Sequence, residues 1–226
     1  MTKISKKMKE ARRHVDVLKT YDVADAIILL KKISFTKFDP TVEIAIKTYA
    51  NPKYNDQMMR GTIALPYGTG KTVCVAVYCS EDKVEEMKKA GADIAGGKDL
   101  LDRIEKGDIA FDVLVTDPMS MRDLARVAKI LGPKGLMPSP KAGTVSQDVA
   151  KAVDEIKKGR IEYKIDKTGN IHGVVGKLSF DDAALIANIR EFIKTMNDNK
   201  PTGVKGKLIK TITIAATMTP GVKIAE

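Results

Sequence analysis

The feature that most restricts this chain is a change of rhythm in its middle third. From Tyr67 to Lys158, short uncharged apolar runs alternate with charged stretches of helical spacing, and the residues on either side lack that alternation. Val73-Cys74-Val75-Ala76-Val77-Tyr78 is rich in β-branched residues and carries no charge, while in Glu81 to Ala90 the apolar Val84 and Met87 stand three apart among Lys and Glu. A strand followed by an amphipathic helix is the expected reading. The unit recurs at Ala92 to Ala95 with Asp99 to Lys106, and at Phe111 to Thr116 with Met119 to Leu131, each boundary marked by Gly, Asp or Pro. Strands that are apolar throughout must be covered on both faces, so this segment predicts a small parallel sheet in a three-layer α/β domain.

The flanks predict something else. Asp22 to Lys32 reads as an amphipathic helix with Asp22 at its N-cap, Thr41 to Thr48 alternates as a strand, and Gly61 to Leu65 is a second short strand. After a helix from Ser146 to Lys158, the runs Ile161 to Asp166 and Ile171 to Lys177 flank Lys167-Thr168-Gly169-Asn170, which is a hairpin signal. A helix from Phe180 to Met196 and a strand from Leu208 to Ala215 complete an α+β set with largely antiparallel pairing. The expected organisation is two domains: residues 1–66 and 159–226 form one discontinuous α+β domain, and residues 67–158 are inserted into it.

Charge divides along the same lines. Lys and Arg outnumber Asp and Glu by 13 to 7 in residues 1–66 and by 11 to 7 in residues 159–226, whereas residues 67–158 hold 15 of each. The net charge of +10 therefore lies in the flanks, and the expectation is that it gathers on one face shaped for a polyanion. Nucleic acid is favoured over a membrane, because no apolar run approaches the roughly 18 residues that a spanning helix needs. The start of the chain carries Lys3, Lys6, Lys7, Lys9, Arg12 and Arg13, but Glu10 and Asp16 interrupt the run, so it reads as mature protein and not as a transit peptide. Cys74 and Cys79 would lie roughly 16 Å apart on one strand and face opposite ways, which predicts two buried, reduced thiols in a cytoplasmic chain.

Catalytic motifs fail on inspection. Gly68-Thr69-Gly70-Lys71-Thr72 ends like a phosphate-binding loop, yet Leu65 stands where the first glycine belongs and a strand follows where a helix is needed. A dinucleotide fingerprint starting at Gly68 would need a third glycine where Val73 stands. With only His14 and His172 and no cluster of ligands, neither a metal nor another cofactor is expected, and no catalytic residue is assigned. His172 is open to two readings, a surface or hydrogen-bonded histidine and a contact to RNA. Aromatic residues make up 5% of the chain and no strand carries paired aromatics, so recognition would use backbone contacts, hydroxyl side chains and shape. Phe35 to Lys47 and Ala216 to Gly221 offer that chemistry, with core aromatics and an ordinary turn as the plain alternatives.

Leu131-Gly132-Pro133-Lys134-Gly135-Leu136-Met137-Pro138-Ser139-Pro140-Lys141 resembles the signature loop of the large-subunit ribosomal protein L-one family. The resemblance extends to Met59-Arg60-Gly61-Thr62, Leu65-Pro66-Tyr67-Gly68-Thr69-Gly70-Lys71, Gly169-Asn170-Ile171-His172 and Ala216-Thr217-Met218, in the family's order and spacing. It implies an RNA-binding domain made from both chain ends and a Rossmann-like insertion. It also implies a monomer within the large ribosomal subunit that binds a helical junction of the large-subunit ribosomal RNA in the mobile stalk. There the family moves with deacylated tRNA leaving the exit site (E site), and in many bacteria it represses translation from its own mRNA leader. Carried over, the RNA contacts fall on Lys37, Phe38, Thr41, Glu43 and Lys47, on Lys167, Gly169 and His172, and on Thr217, Met218 and Gly221. The family usually has glycine after the Thr-Met pair; here Thr219 stands there, and Gly221 is expected to supply the flexibility. Lys134 and Lys141 are candidates for facing tRNA.

Overall fold

A computed structural model describes residues 5–80 and 83–225, so Lys3 and Glu81 of the reading above lie outside the described residues. The protein is a mixed α/β structure whose chain divides into two compact units, Met1–Gly70 with Ile161–Glu226, and Lys71–Arg160. The crossings fall a few residues beyond positions 66 and 158. By these bounds the first unit holds 23 Lys and Arg against 14 Asp and Glu, and the second holds 16 against 15.

The first unit opens with α1 (Lys6–Arg13), whose Ser5 side chain accepts from the amide of Met8 at 3.3 Å. In α2 (Val23–Ile33) the buried Val23, Ala26, Ile27, Leu30 and Ile33 follow the three-four spacing of an amphipathic helix. Asp22 holds the N-cap position with extended backbone, but its side chain makes no capping hydrogen bond. Next come β1 (Thr41–Thr48) and β2 (Arg60–Ala64). After the second crossing the chain forms β6 (Arg160–Lys164), β7 (Asn170–Lys177), α7 (Asp182–Asp198), β8 (Ile209–Ala216) and β9 (Val222–Ile224).

These strands make a four-stranded sheet in the order β7-β1-β8-β9, antiparallel throughout, and a separate pair, β2-β6. Helices α2 and α7 cover one face of the larger sheet, with Phe192 and Ile189 of α7 and Ile27 and Leu30 of α2 joining Ile44, Ile46, Ile171, Ile212 and Ile214 in one core. Each such side chain contributes about 1.5–3 kcal/mol on removal from water. Gly173 of β7 is required here, since a Cβ would stand 2.3 Å from a Phe192 ring carbon.

The predicted hairpin is corrected. Its turn exists, closed by the Asp166 amide donating to the Asn170 carbonyl at 2.8 Å and by the isolated bridge Ile165–Ile171, but beyond it β6 pairs with β2 and β7 with β1. Arg60 meets Glu162 at 2.6 Å, and Gly61 leaves room for the Tyr163 ring, whose hydroxyl would lie 2.7 Å from an added Cβ. These contacts hold β6 on β2, and a local turn signal carries no record of them.

In the second unit, β3 (Val75–Tyr78) lies between β4 (Ile94–Gly96) and β5 (Val113–Thr116), all parallel. One face packs on α3 (Val84–Lys89) and α6 (Val149–Lys157) through Met87 and Val153. The other packs on α4 (Lys98–Glu105) and α5 (Ala128–Leu131) through Ile104 and Leu131. The single helix expected from Met119 to Leu131 is instead a 3-10 segment, Ser120–Arg126, before α5. Met121, Leu124 and Val127 stand three apart, the period that keeps a 3-10 winding on one face. Cys74 and Cys79 flank β3, are unpaired, and join opposite core clusters. Only Cys79 is buried, because Cys74 precedes the strand and is half-exposed, which corrects one of the two thiols.

Candidate nucleic-acid interface

Alternation along β1 sends Val42, Ile44 and Ile46 into the core and leaves Thr41, Glu43, Ala45 and Lys47 on the face that α2 and α7 do not cover. Pairing then fixes what stands beside them. Glu43 lies between Val174 and Ala215, Ala45 between His172 and Thr213 with Lys223 beyond, and Lys47 between Asn170 and Thr211. The outward face is therefore a shallow floor of small, hydroxyl and charged side chains.

At one end the floor is closed by Thr41 and Thr217. The amide of Thr217 donates to the Thr41 carbonyl at 3.0 Å, and the Thr41 amide donates to Thr217 Oγ1 at 3.1 Å. Thr217 Oγ1 in turn lies 3.3 Å from the Thr41 carbonyl, to which it donates, so one lone pair of that hydroxyl remains for an incoming donor. Lys177 Nζ donates to Thr41 Oγ1 at 2.8 Å. The chain turns back at Ala216–Thr219, with the Thr219 amide donating to the Ala216 carbonyl at 2.9 Å. Met218 occupies the turn with φ 65°, the one positive-φ residue other than glycine among those described, and the residue is 59% exposed.

Thr219 has its own task in this turn, since its Oγ1 accepts from the Ala216 amide at 2.9 Å. Gly221 is not in the left-handed region, so the flexibility expected of it is corrected to a steric need: an added Cβ would meet Thr213 Cγ2 at 2.8 Å. Lys37 and Phe38 are exposed in the loop before β1, and Asp39 ties that loop to Ser179 beyond β7, accepting from its amide and hydroxyl at 3.2 and 2.7 Å.

The other end is organised by Asp166. Its Oδ1 accepts from the Thr168 amide, the Thr168 hydroxyl and the Asn170 amide, each at 2.8 Å. The Asn170 amide chiefly, with the Thr168 hydroxyl and amide and nearby His172 behind it, draws the carboxyl down to about 2 against a weaker rise from burial. The turn puts Gly169 in the left-handed region, φ 80°, where its carbonyl accepts from both the amide and hydroxyl of Thr48. Lys47 Nζ reaches the Thr168 carbonyl, and Lys167 stands in the same turn. His172 Nε2 lies 3.8 Å from Asp166 Oδ2, so the acid partner that sequence could not name is Asp166.

Of the eleven candidate residues, Thr41, Glu43, Lys47 and His172 lie on the open face, Lys37, Phe38, Thr217, Met218 and Gly221 belong to one end, and Lys167 and Gly169 to the other. Sequence reasoning missed Asn170, Lys177, Thr211, Thr213 and Lys223, which only the cross-strand register reveals. The cationic surplus is not confined to this face, which corrects that expectation. Lys32 and Lys194 sit on the helices that cover the opposite side, and there Lys31 pairs with Asp182 at 2.6 Å. Among the described residues no group of His, Cys, Asp and Glu could hold a metal. Lys71 of the apparent phosphate loop is paired with Asp112 at 2.9 Å, and a strand follows it.

Comparison with known proteins finds similarity along the whole chain. Residues 30–220 match the pattern of the Ribosomal protein L1p/L10e family. The large ribosomal subunit protein uL1 of Chlorobaculum tepidum is 50% identical over 226 residues, covering 100% of this chain and 98% of its own. The protein of the same description from Thermosipho melanesiensis is 50% identical over 225 residues, covering 99% and 97%. That of Orientia tsutsugamushi is 48% identical over 220 residues, covering 97% and 88%.

Proposed function

The chain belongs to the ribosomal protein L1p/L10e family, and on that premise we propose that it is a constituent of the large ribosomal subunit that holds large-subunit ribosomal RNA on the open face of its β7-β1-β8-β9 sheet. It is a structural protein and not an enzyme. One observation carries the reading. The uncovered face is built from strands of both chain ends and presents hydroxyls, backbone groups and Lys side chains on a rigid frame.

The chemistry divides by position. Lys37, Lys47, Lys167 and Lys177 neutralise phosphates at the two ends of the sheet, and the remaining lone pair of Thr217 accepts from a ribose hydroxyl. Glu43 stands exposed among Val174 and Ala215, where it repels phosphate and accepts from base or ribose donors, so it selects register more than it adds affinity. Met218 and Phe38, exposed at the Thr41 end of the sheet, supply apolar cover there. In this reading the unit Lys71–Arg160 is a Rossmann-like insertion that leaves the RNA grip to the unit made from both chain ends. The finer roles follow the family: residence in the mobile stalk, release of deacylated tRNA from the exit site, and repression of the protein's own mRNA.

Salt titration and one deletion test this. If about 5 phosphates are neutralised, log affinity for the RNA falls against log salt with a slope of roughly −4. Removing residues 71–160 leaves affinity within a few-fold, and Thr217→Ala weakens specific binding more than Lys134→Ala does. Equal losses from both substitutions, or a slope near zero, would refute the assignment.

A further inference from the structure

The open face does not stop at Lys47. Thr48 is buried and Tyr49 is 58% exposed, so the alternation of β1 carries one residue past its end and sets the Tyr49 ring on the same side as Thr41, Glu43 and Lys47. Its backbone is fixed: the Tyr49 amide donates to the Leu208 carbonyl at 2.9 Å, and the neighbouring Thr48 is held through its amide and hydroxyl by Gly169. At this point the β1-β8 ladder slips. Lys47 pairs with Thr211 and Thr48 with Ile209, which leaves Lys210 as the extra residue of a bulge. A bulge re-aims a side chain, and here it places Lys210 Nζ 5.7 Å from the centre of the Tyr49 ring.

An aromatic ring on a rigid strand end, open to solvent, with a mobile ammonium over one of its faces that a phosphate can draw aside and a polar floor leading up to it, has the features of a stacking platform for a nucleobase. We propose that Tyr49 and Lys210 form a further RNA subsite in which an unpaired base stacks on the Tyr49 ring and Lys210 takes its flanking phosphate. The subsite rests on the RNA-binding reading of the sheet and extends it by one nucleotide class, an unstacked base at the Lys47 end. Sequence could not show it, because Tyr49 has no aromatic partner on its strand and nothing in the run Leu208 to Ala215 marks the register slip that turns Lys210 towards the ring.

The test uses the full chain and a transcript of large-subunit ribosomal RNA, with Tyr49→Ala, Tyr49→Phe, Lys210→Gln and Thr217→Ala compared by filter binding. Loss of a stacked base predicts that Tyr49→Ala weakens binding about 5- to 150-fold, while Tyr49→Phe stays within twofold. Lys210→Gln should flatten the slope of log affinity against log salt by roughly 0.7 to 0.9. Thermal midpoints report folding: Tyr49 and Lys210 are exposed, so their three variants should keep theirs, whereas Thr217→Ala gives up two part-buried hydrogen bonds with Thr41 and should melt somewhat lower while still folding cooperatively. As a second readout on the unaltered protein, ultraviolet crosslinking to a transcript containing 4-thiouridine should attach RNA to Tyr49. If Tyr49→Ala binds normally while Thr217→Ala does not, the subsite is refuted and the sheet reading stands. If both bind normally, both fall. Equal losses from Tyr49→Ala and Tyr49→Phe would also overturn stacking, since the ring would then not be the group that matters.

Discussion

Replacing Asp166 with Asn should loosen the turn that presents Lys167 and Gly169, and the structure sets the size of the effect. The carboxylate accepts three hydrogen bonds through Oδ1 and sits with its carboxyl at about 2 against an ordinary 3.8. Taken whole, that difference corresponds to about 2.5 kcal/mol at 1.36 kcal/mol per pH unit. The side chain is 39% exposed, however, so water competes for it and the useful figure is roughly 1 kcal/mol. Because the folded value lies below the unfolded one, this stabilisation is fully present above pH 4 and fades as the pH falls through 2. Urea unfolding of parent and Asp166→Asn proteins should therefore differ by about 1 kcal/mol at pH 7, and the gap should shrink steadily below pH 4. A gap that is absent at pH 7, or that does not change with pH, would refute the electrostatic account of the turn.

Two further substitutions probe other parts of the sheet. Gly173→Ala drives a methyl to 2.3 Å from the Phe192 ring and should destabilise the first unit by about 1–3 kcal/mol in urea unfolding. Met218→Gly relieves a left-handed backbone and should raise stability by roughly 0.5–1 kcal/mol, while weakening RNA binding in the filter assay because the exposed side chain is gone.

Local patterns in the chain were enough to find most elements, and pairing was beyond them. Val23 to Ile33 shows its buried stripe at three-four spacing, and Thr41 to Thr48 alternates over the span that forms β1. The sequence around Asp166 to Asn170 shows a turn equally clearly, yet β6 and β7 separate into different sheets because Tyr163 fits under Gly61 and Phe192 over Gly173. Those fits join residues far apart in the chain. The three-residue β9 was missed because so short a run has no period, and with it went Lys223 on the open face. Lys210 lies in a strand that the sequence did show, yet its place over Tyr49 follows from a slipped ladder and from nothing in its neighbours.

The route of the chain through the first unit bears on how the protein is made. Strand β1 leaves the ribosome early, but Thr41 finds Lys177 only 136 residues later and Thr217 only 176 residues later. Until then its apolar side is without a sheet, while the inserted unit, which has cores of its own, can close on local contacts in the interval. An unfinished nascent chain therefore lacks the face on which the proposed RNA grip depends, and on that proposal a polypeptide cut off before Thr217 would be a poor competitor for the binding place of a complete one.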